Sequence, residues 1–439
     1  MSFRTAASSG LAIVVLMGLG VSGCSDRAAA QRPRTDPEFP QLASRGDASA
    51  MARLQAALDP QRSPDDGSFS GAVQAYRYRS QQRVSEDGTI PRNAMERAVD
   101  QVTLARSMRG GAYAAGLYNG SWTWIGPGSI GGRLRGILMH PTQPDTLWVG
   151  TAGGGIWKTT NGGTSWTALD EFMASVAIGC MAMDPVNPDV LYAGTGEGFF
   201  DQPEGTSNTA TMRGMGIFKS TDGGDTWNRM ASTATSDFWF VNRLAIHPGN
   251  TQILLAATAT GIWRSTNGGA TWTRRIAGDF MDLQMDPNDP NKLVAGRAHT
   301  GGCYSTDNGA TWLVSSGLGG DRQEFAYAEA TPGMVYCTRS NNGQIHIYRS
   351  TNGGQSYTLR TSGSGITTYS HYNNTVWVDP TDSDHVIMGG VYLYRSTDGG
   401  VSHSRTFNSV HADMHAIEAA PGINGTTNKS LNIGGDGGI

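Results

Sequence analysis

Apolar and polar positions recur in one order along most of this chain. A short strand-like run ends in Asp-Pro or His-Pro: GILMHP (136–141), CMAMDP (180–185), RLAIHP (243–248), DLQMDP (282–287) and TVWVDP (375–380). A turn follows, then a run ending in small residues: TLWVGT (146–151), VLYAGT (190–195), ILLAAT (253–258) and KLVAGR (292–297). Gly-Ile-Trp-Lys (155–158), or its equivalents GIFK (216–219) and GIWR (261–264), then leads into an eight-residue turn. An aromatic residue closes most copies of that turn and opens a fourth run. Runs this short, bounded by Gly, Pro, Asn and Asp, predict strands, four to a unit.

The turn recurs six times: TTNGGTSW (159–166), STDGGDTW (220–227), STNGGATW (265–272), STDNGATW (305–312), STNGGQSY (350–357) and STDGGVSH (396–403). Successive starts lie 61, 45, 40, 45 and 46 residues apart, the period of one four-stranded propeller blade. Asn or Asp with Gly supplies the positive φ angles of a tight hairpin, and the Asn/Asp and Ser/Thr side chains can bond back to turn amides. A seventh unit starts at HADMHAIEAAP (411–421), and its SLNIGGDGGI (430–439) matches the second strand and the opening of the third in the first unit. The expected fold is therefore all-β, a seven-bladed β-propeller of four-stranded blades over residues 119–439. The strand around Trp122 (Asn119-Gly-Ser-Trp-Thr-Trp) is expected to close a last blade left incomplete at Ile439, beyond which the natural protein is expected to continue. An eight-bladed ring is the alternative.

The region before the repeats has a different character. Residues 67–118 predict a partly helical segment, with apolar residues near helical spacing from Asn93 to Arg106 behind Pro91. Residues 25–66, rich in Ala, Arg, Pro, Asp and Ser, read as a tether with one short helix around Ala50–Leu58. Residues 1–24 read as a targeting leader: Arg4, an apolar run over 11–21 too short to span a bilayer, then Val21-Ser22-Gly23-Cys24. That ending resembles the lipobox of bacterial lipoproteins. The resemblance implies lipidation at Cys24, export and, with Ser25 next, an outer-membrane or cell-surface location.

Composition supports this layout. Sixty glycines beside 11 tryptophans fit many tight turns around a packed core. A formal net charge of −4 and no basic block argue against a nucleic-acid partner. Without Cys24, three cysteines remain (Cys180, Cys303 and Cys337), so at least one thiol is free or pairs with another chain. No cofactor motif is expected; no phosphate loop, serine-hydrolase elbow or zinc helix motif is present.

The repeated turn resembles the Asp-box (BNR) motif of sialidases, sortilin-type ectodomains and two-propeller xyloglucanases. In those families it sits on the outer rim and is not catalytic. The stretch TWIGPGSIGGRLRGILMHP (123–141), with GTAGGGIWKTTNGGTSW (150–166), resembles exported bacterial propellers described as sortilin-like or glycosyl-hydrolase-like, a likeness extending over Tyr76–Ile439. These resemblances imply a fold more than a reaction. The arginine pattern of sialidases is missing at Arg133-Leu134-Arg135-Gly136. Xyloglucanases carry a catalytic Asp where this chain has Ala152, although Asp436 takes the equivalent place in the seventh unit.

Propellers bind ligands where the innermost strands begin. Aligning those strands on their Pro residues puts Arg135, Gly179, Asn242, Met281, Asn374 and His415 at one level. Arg133, Ala177, Phe240, Asp279, Tyr372 and Asp413 fall two residues earlier, on the same strand face. The polar members are Arg133, Arg135, Asn242, Asp279, Tyr372, Asn374, Asp413 and His415. With Glu197, from a long insertion over 196–214, they are the ligand-binding candidates. His411, Asp413 and His415 are weak metal candidates, because a strand rise of about 3.3 Å per residue holds the two imidazoles too far apart to share an ion. Phe199 and Phe200, beside Asp201 and Glu204, suggest an exposed contact loop or, equally, a loop packed over the ring. The expected function is a surface binding or scaffold propeller that recognises a glycan or protein ligand. The alternative is a xyloglucanase-like glycoside hydrolase completed by sequence beyond Ile439.

Overall fold

The computed structural model describes residues 132–439, apart from 171–172, 200–211, 363–364, 370 and 408–409, together with helical positions Arg97, Ala98, Asp100, Gln101 and Leu104. Cys24, the tether, most of the 67–118 segment and the Trp122 strand lie outside the described residues, as do Phe200, Asp201 and Glu204.

Among the described residues, the repeats form six four-stranded antiparallel sheets and one two-stranded sheet, seven blades in all. Each four-stranded sheet is a simple meander, because tight Gly-rich turns join neighbouring strands. The inner strands are Leu134–Met139, Ile178–Met183, Val241–Ile246, Phe280–Met285, Gln323–Tyr327, Thr375–Asp379 and Met414–Ala419, for blades 1 to 7 in order. Blade 7 pairs Met414–Ala419 with Leu431–Gly435. Each inner strand packs beside the next, and that of blade 7 returns beside that of blade 1, so the ring closes.

The core is a set of seams between blades. Trp148 and Ile156 of blade 1 meet Ile178, Leu191 and Phe218 of blade 2. Leu255 and Ile262 of blade 3 meet Phe280, Leu283 and Leu293 of blade 4. Ile345 and Ile347 of blade 5 meet Val386 and Met388 of blade 6. At the closing seam, Ala416 of blade 7 lies against the cluster of Leu134, Ile137, Leu147 and Val149. A Cβ on Gly434 would lie 3.2 Å from both Ile137 and Leu134, so any larger residue there would push these side chains aside. Cys180, Cys303 and Cys337 are all free thiols buried in these seams.

The repeated turns show why they recur. In blade 2, Ser220 Oγ donates to Asp222 Oδ1 (2.7 Å) and accepts from Gly224 N (2.9 Å), while Asp222 accepts from Thr226 N (3.0 Å) and Thr226 Oγ1 (2.6 Å). The positive φ angles fall one residue later than expected: on Gly223 and Gly224 rather than on the Asp-Gly pair. In blade 4, Asn308 takes the first of these positions at φ 59°. Asparagine is one of the few side chains that tolerates it.

Candidate functional site

Five inner strands carry a register shift near their start. Arg135, Gly179, Asn242, Met281 and His415 are the extra residues. They are the very level that alignment on proline isolates. A bulge re-aims the side chain at its extra position, here toward the middle of the ring. Gly179 is forced, since a Cβ there would lie 2.3 Å from Gly196 O. The inner strands of blades 5 and 6 have no register shift at their start; Arg322 and Asn374, just ahead of these strands, fill the same level.

The start of the blade 2 insertion, Gly196 to Phe199, turns across this end of the ring. Gly196, at φ 92°, makes the turn, and a Cβ there would lie 2.0 Å from Trp239 O. Of the two readings of this loop, Phe199 follows the packed one: the side chain is fully buried, against Met281 and Ala298. The guanidiniums of Arg322, Arg135 and Arg243 lie 4.5, 4.7 and 5.8 Å from its ring. Each such contact adds about 0.5–2 kcal/mol when desolvated. Phe199 therefore plugs the ring.

Glu197, beside it, is also fully buried. Its Oε1 accepts from Arg135 Nε at 2.6 Å, with Arg133 Nη1 at 3.2 Å. Arg135 continues the chain of bonds: its Nη1 meets His415 Nδ1 at 2.8 Å, and His415 Nε2 meets Asp436 Oδ1 at 2.8 Å. A guanidinium only donates, so Nδ1 is the acceptor and the neutral imidazole carries its proton on Nε2. Burial, reinforced by the charge of Arg135, pushes the His415 pKa down to about 3. The Tyr372 hydroxyl donates to the other Asp436 oxygen. Arg133 and Arg135 lie 5.0 and 5.3 Å from the Tyr372 ring.

Two aspartates adjoin at this mouth, joined through their backbones. Asp436 N donates to Asp413 O at 3.2 Å, and Asn373 Nδ2 donates to Asp413 Oδ1. Their proton affinities are driven apart. Burial and the Asp436 charge hold Asp413 above the ordinary carboxyl range, against the Asn373 bond. Burial also works against ionised Asp436, but hydrogen bonds from His415 and Tyr372 outweigh it and leave its pKa lowered. Asp413 sits at φ 69°, a strained conformation for a non-glycine residue and one often kept at functional sites. Glu197 Oε2 and Arg135 Nη2 are buried without hydrogen-bond partners among the described residues, as if awaiting water or a ligand's polar atoms.

A second buried network lies deeper. Arg243 reaches Asp282 (3.0 Å) and Glu324 (2.7 Å), and Arg322 binds Glu324 Oε1 at 2.6 Å. Arg322 Nη1 also donates to His371 O (2.6 Å) and Tyr372 O (3.1 Å), tying blade 5 to blade 6.

Arg133, Arg135, Tyr372, Asp413 and His415, from two neighbouring levels of the inner strands, thus converge with Glu197 from the insertion. Asn242 and Asn374 instead spend their amides on the neighbouring backbone, donating to Phe280 O and Thr338 O. Asp279 lies away from the cluster, in a recess beside His299. His411 is exposed, with Nδ1 against Ala412 O, while His415 is committed to Arg135 and Asp436; they form no shared ligand set. Arg322 and Glu324 were missed because blade 5 lacks an Asp-Pro or His-Pro anchor. Counting back from its repeated turn would have found the strand.

No family model matches the sequence. A xyloglucanase from a Paenibacillus species is 28% identical over 266 residues, covering 54% of this chain and 22% of that protein. A probable oligoxyloglucan-reducing end-specific xyloglucanase from Neosartorya fischeri is 24% identical over 319 residues, covering 59% of this chain and 36% of that protein. The chain therefore spans well under half the length of these curated relatives. Among solved structures, the GH74 xyloglucanase from Xanthomonas campestris superposes with a TM-score of 0.54 at 18% identity, over 71% of this chain and 52% of that one. YCF48 from Cyanidioschyzon merolae superposes with a TM-score of 0.50 at 15% identity, over 71% of this chain and 95% of that one. At these identities the structures support the propeller fold alone.

Proposed function

We propose that this propeller acts on polysaccharide, hydrolysing glycosidic bonds in a β-glucan of the xyloglucan kind. One observation carries the reading: Asp413 and Asp436, joined by a backbone hydrogen bond at the ring mouth, have proton affinities displaced in opposite directions. Glycoside hydrolysis uses such a pair, one carboxyl holding a proton for the leaving oxygen and one ionised to activate water or attack. In this reading Asp413 is the acid and Asp436 the base or nucleophile. His415 and Tyr372 position Asp436, and Arg133 beside the Tyr372 ring offers a polar and an aromatic surface to a sugar. Similarity to the two xyloglucanases supports the substrate class. A leader ending at Cys24 fits a protein that meets polysaccharide outside the cell.

Binding without hydrolysis is the second reading. Ala152 favours it: a buried methyl stands where the xyloglucanase resemblance expects a carboxylate. Incubating the full chain with xyloglucan and with unsubstituted β-1,4-glucan, and measuring reducing ends, separates the two. Hydrolysis predicts sugar release that Asp436→Asn abolishes while binding persists. Retention on immobilised xyloglucan with no release leaves the binding reading; neither retention nor release sinks both.

A further inference from the structure

Away from the carboxylate pair, His299, Asp321 and His371 come together from three separate loops of blades 4, 5 and 6. One ligand atom from each lies within 4.8 Å of the other two. His371 Nε2 is 3.8 Å from Asp321 Oδ1, and the two imidazoles are 5.0 Å apart between centroids. We propose that these three residues bind a borderline divalent cation such as Zn²⁺, leaving a coordination position open toward the neighbouring recess.

The donor set selects the class of ion. Two imidazoles and one carboxylate suit Zn²⁺ and its neighbours in the first transition row, whereas Ca²⁺ and Mg²⁺ want oxygen. Zinc bonds of about 2.0–2.1 Å in a tetrahedron place ligand atoms roughly 3.3 Å apart, so the His371–Asp321 pair is already close to its bound spacing. His299 is exposed and can close the remaining gap.

Three features organise the site in advance. Thr300 and Gly320 form a parallel bridge, which holds the loops of His299 and Asp321 side by side. Arg322 binds the His371 carbonyl at 2.6 Å, anchoring the third loop beside the residue that follows Asp321. The third concerns the proton on His371. Its buried ring sets Nδ1 3.5 Å from Met281 Sδ and turns Nε2 toward the Asp321 carboxylate, 3.8 Å away. With the proton on Nδ1, Nε2 presents its lone pair to a cation between the two side chains.

The open position is supplied by the surroundings. His299 also lines a recess of about 310 Å³ with Asp279, Arg297, Ala298 and Thr300. Three protein ligands and an adjoining hollow are the plan of zinc sites that keep a water or an anionic ligand in the fourth place. The proposal does not depend on the polysaccharide reading, since none of its ligands belongs to the carboxylate pair.

The test is metal uptake by the full chain without a polyhistidine tag. Dialysis against Zn²⁺ followed by elemental analysis is expected to give one tightly held equivalent. Titration with Co²⁺ is expected to give the intense visible bands of a four-coordinate site. His299→Ala and Asp321→Asn, both at accessible positions, should each weaken uptake by more than about tenfold, while His411→Ala should leave it unchanged. His371→Ala should abolish uptake if it folds; the accessible variants carry the test if it does not. No uptake, or uptake indifferent to His299→Ala and Asp321→Asn, would overturn the proposal.

Discussion

Arg135 Nη1 donates to His415 Nδ1 at 2.8 Å across the seam between the first and last blades, joining residues 280 positions apart in the chain. The same guanidinium holds Glu197 at 2.6 Å, so the ring closure, the channel plug and the carboxylate cluster share one side chain.

Removing Arg135 therefore leaves the buried Glu197 carboxylate with only its longer contact to Arg133, at 3.2 Å. Arg135→Ala is expected to destabilise the fold by about 3–5 kcal/mol, the usual cost of breaking a buried ion pair from one side. Arg135→Met combined with Glu197→Gln should cost much less than the sum of the two single changes, because no charge is then stranded. Urea denaturation of the four proteins measures the coupling; strict additivity would show that the pair is not linked.

His415 should give the stability a pH dependence of known sign. Its folded pKa, about 3, lies below the ordinary value of 6.5, so the unfolded chain takes up the proton first. Its contribution is complete above pH 6.5 and is lost as pH falls toward 3. Asp282 runs the other way. Burial and the charge of Glu324 raise its pKa to about 6, so its contribution is present below 3.8 and is lost as pH rises through 6. His415→Gln keeps one acceptor and one donor but cannot titrate. Its melting temperature should fall less steeply than that of the parent between pH 6.5 and 4, and parallel curves would refute the assignment.

Asn308 holds the left-handed position that glycine occupies in the other repeated turns. Asn308→Val should destabilise by about 1–2 kcal/mol, the penalty of placing a β-branched side chain there. Asn308→Gly should stay within about 0.5 kcal/mol of the parent. Denaturant midpoints compare the two directly, and equal losses would mean that the side chain matters more than the backbone angle.

Cys24 is expected to carry lipid. Cells expressing the full chain should incorporate labelled palmitate into it, and Cys24→Ser should abolish the label and release the protein from the membrane fraction. Label retained by Cys24→Ser would place the modification elsewhere.

Some of this architecture was readable in the chain because it is local. The repeated turns announce themselves: Ser220, Asp222, Gly224 and Thr226 satisfy one another within seven residues, so their spacing records their geometry. The strand pattern between turns follows from the same short range. Aligning the strands on proline even isolated the level of the bulges, where Arg135 and His415 turn inward.

Other features exist only once the ring has closed. Phe199 in sequence fits an exposed anchor as well as a packed one, and it is a plug because Arg135, Arg243 and Arg322 from three blades surround it. Asp413 and Asp436 differ in proton affinity because burial and the Asp436 charge raise the first, while hydrogen bonds from His415 and Tyr372 outweigh burial and lower the second, all through folding. His299, Asp321 and His371 share no motif or spacing. The sequence determined the blades, since each is built from contacts between near neighbours. Which side chains meet in the middle was decided by the tertiary structure, because closing seven blades into a ring brings together loops that no local period relates.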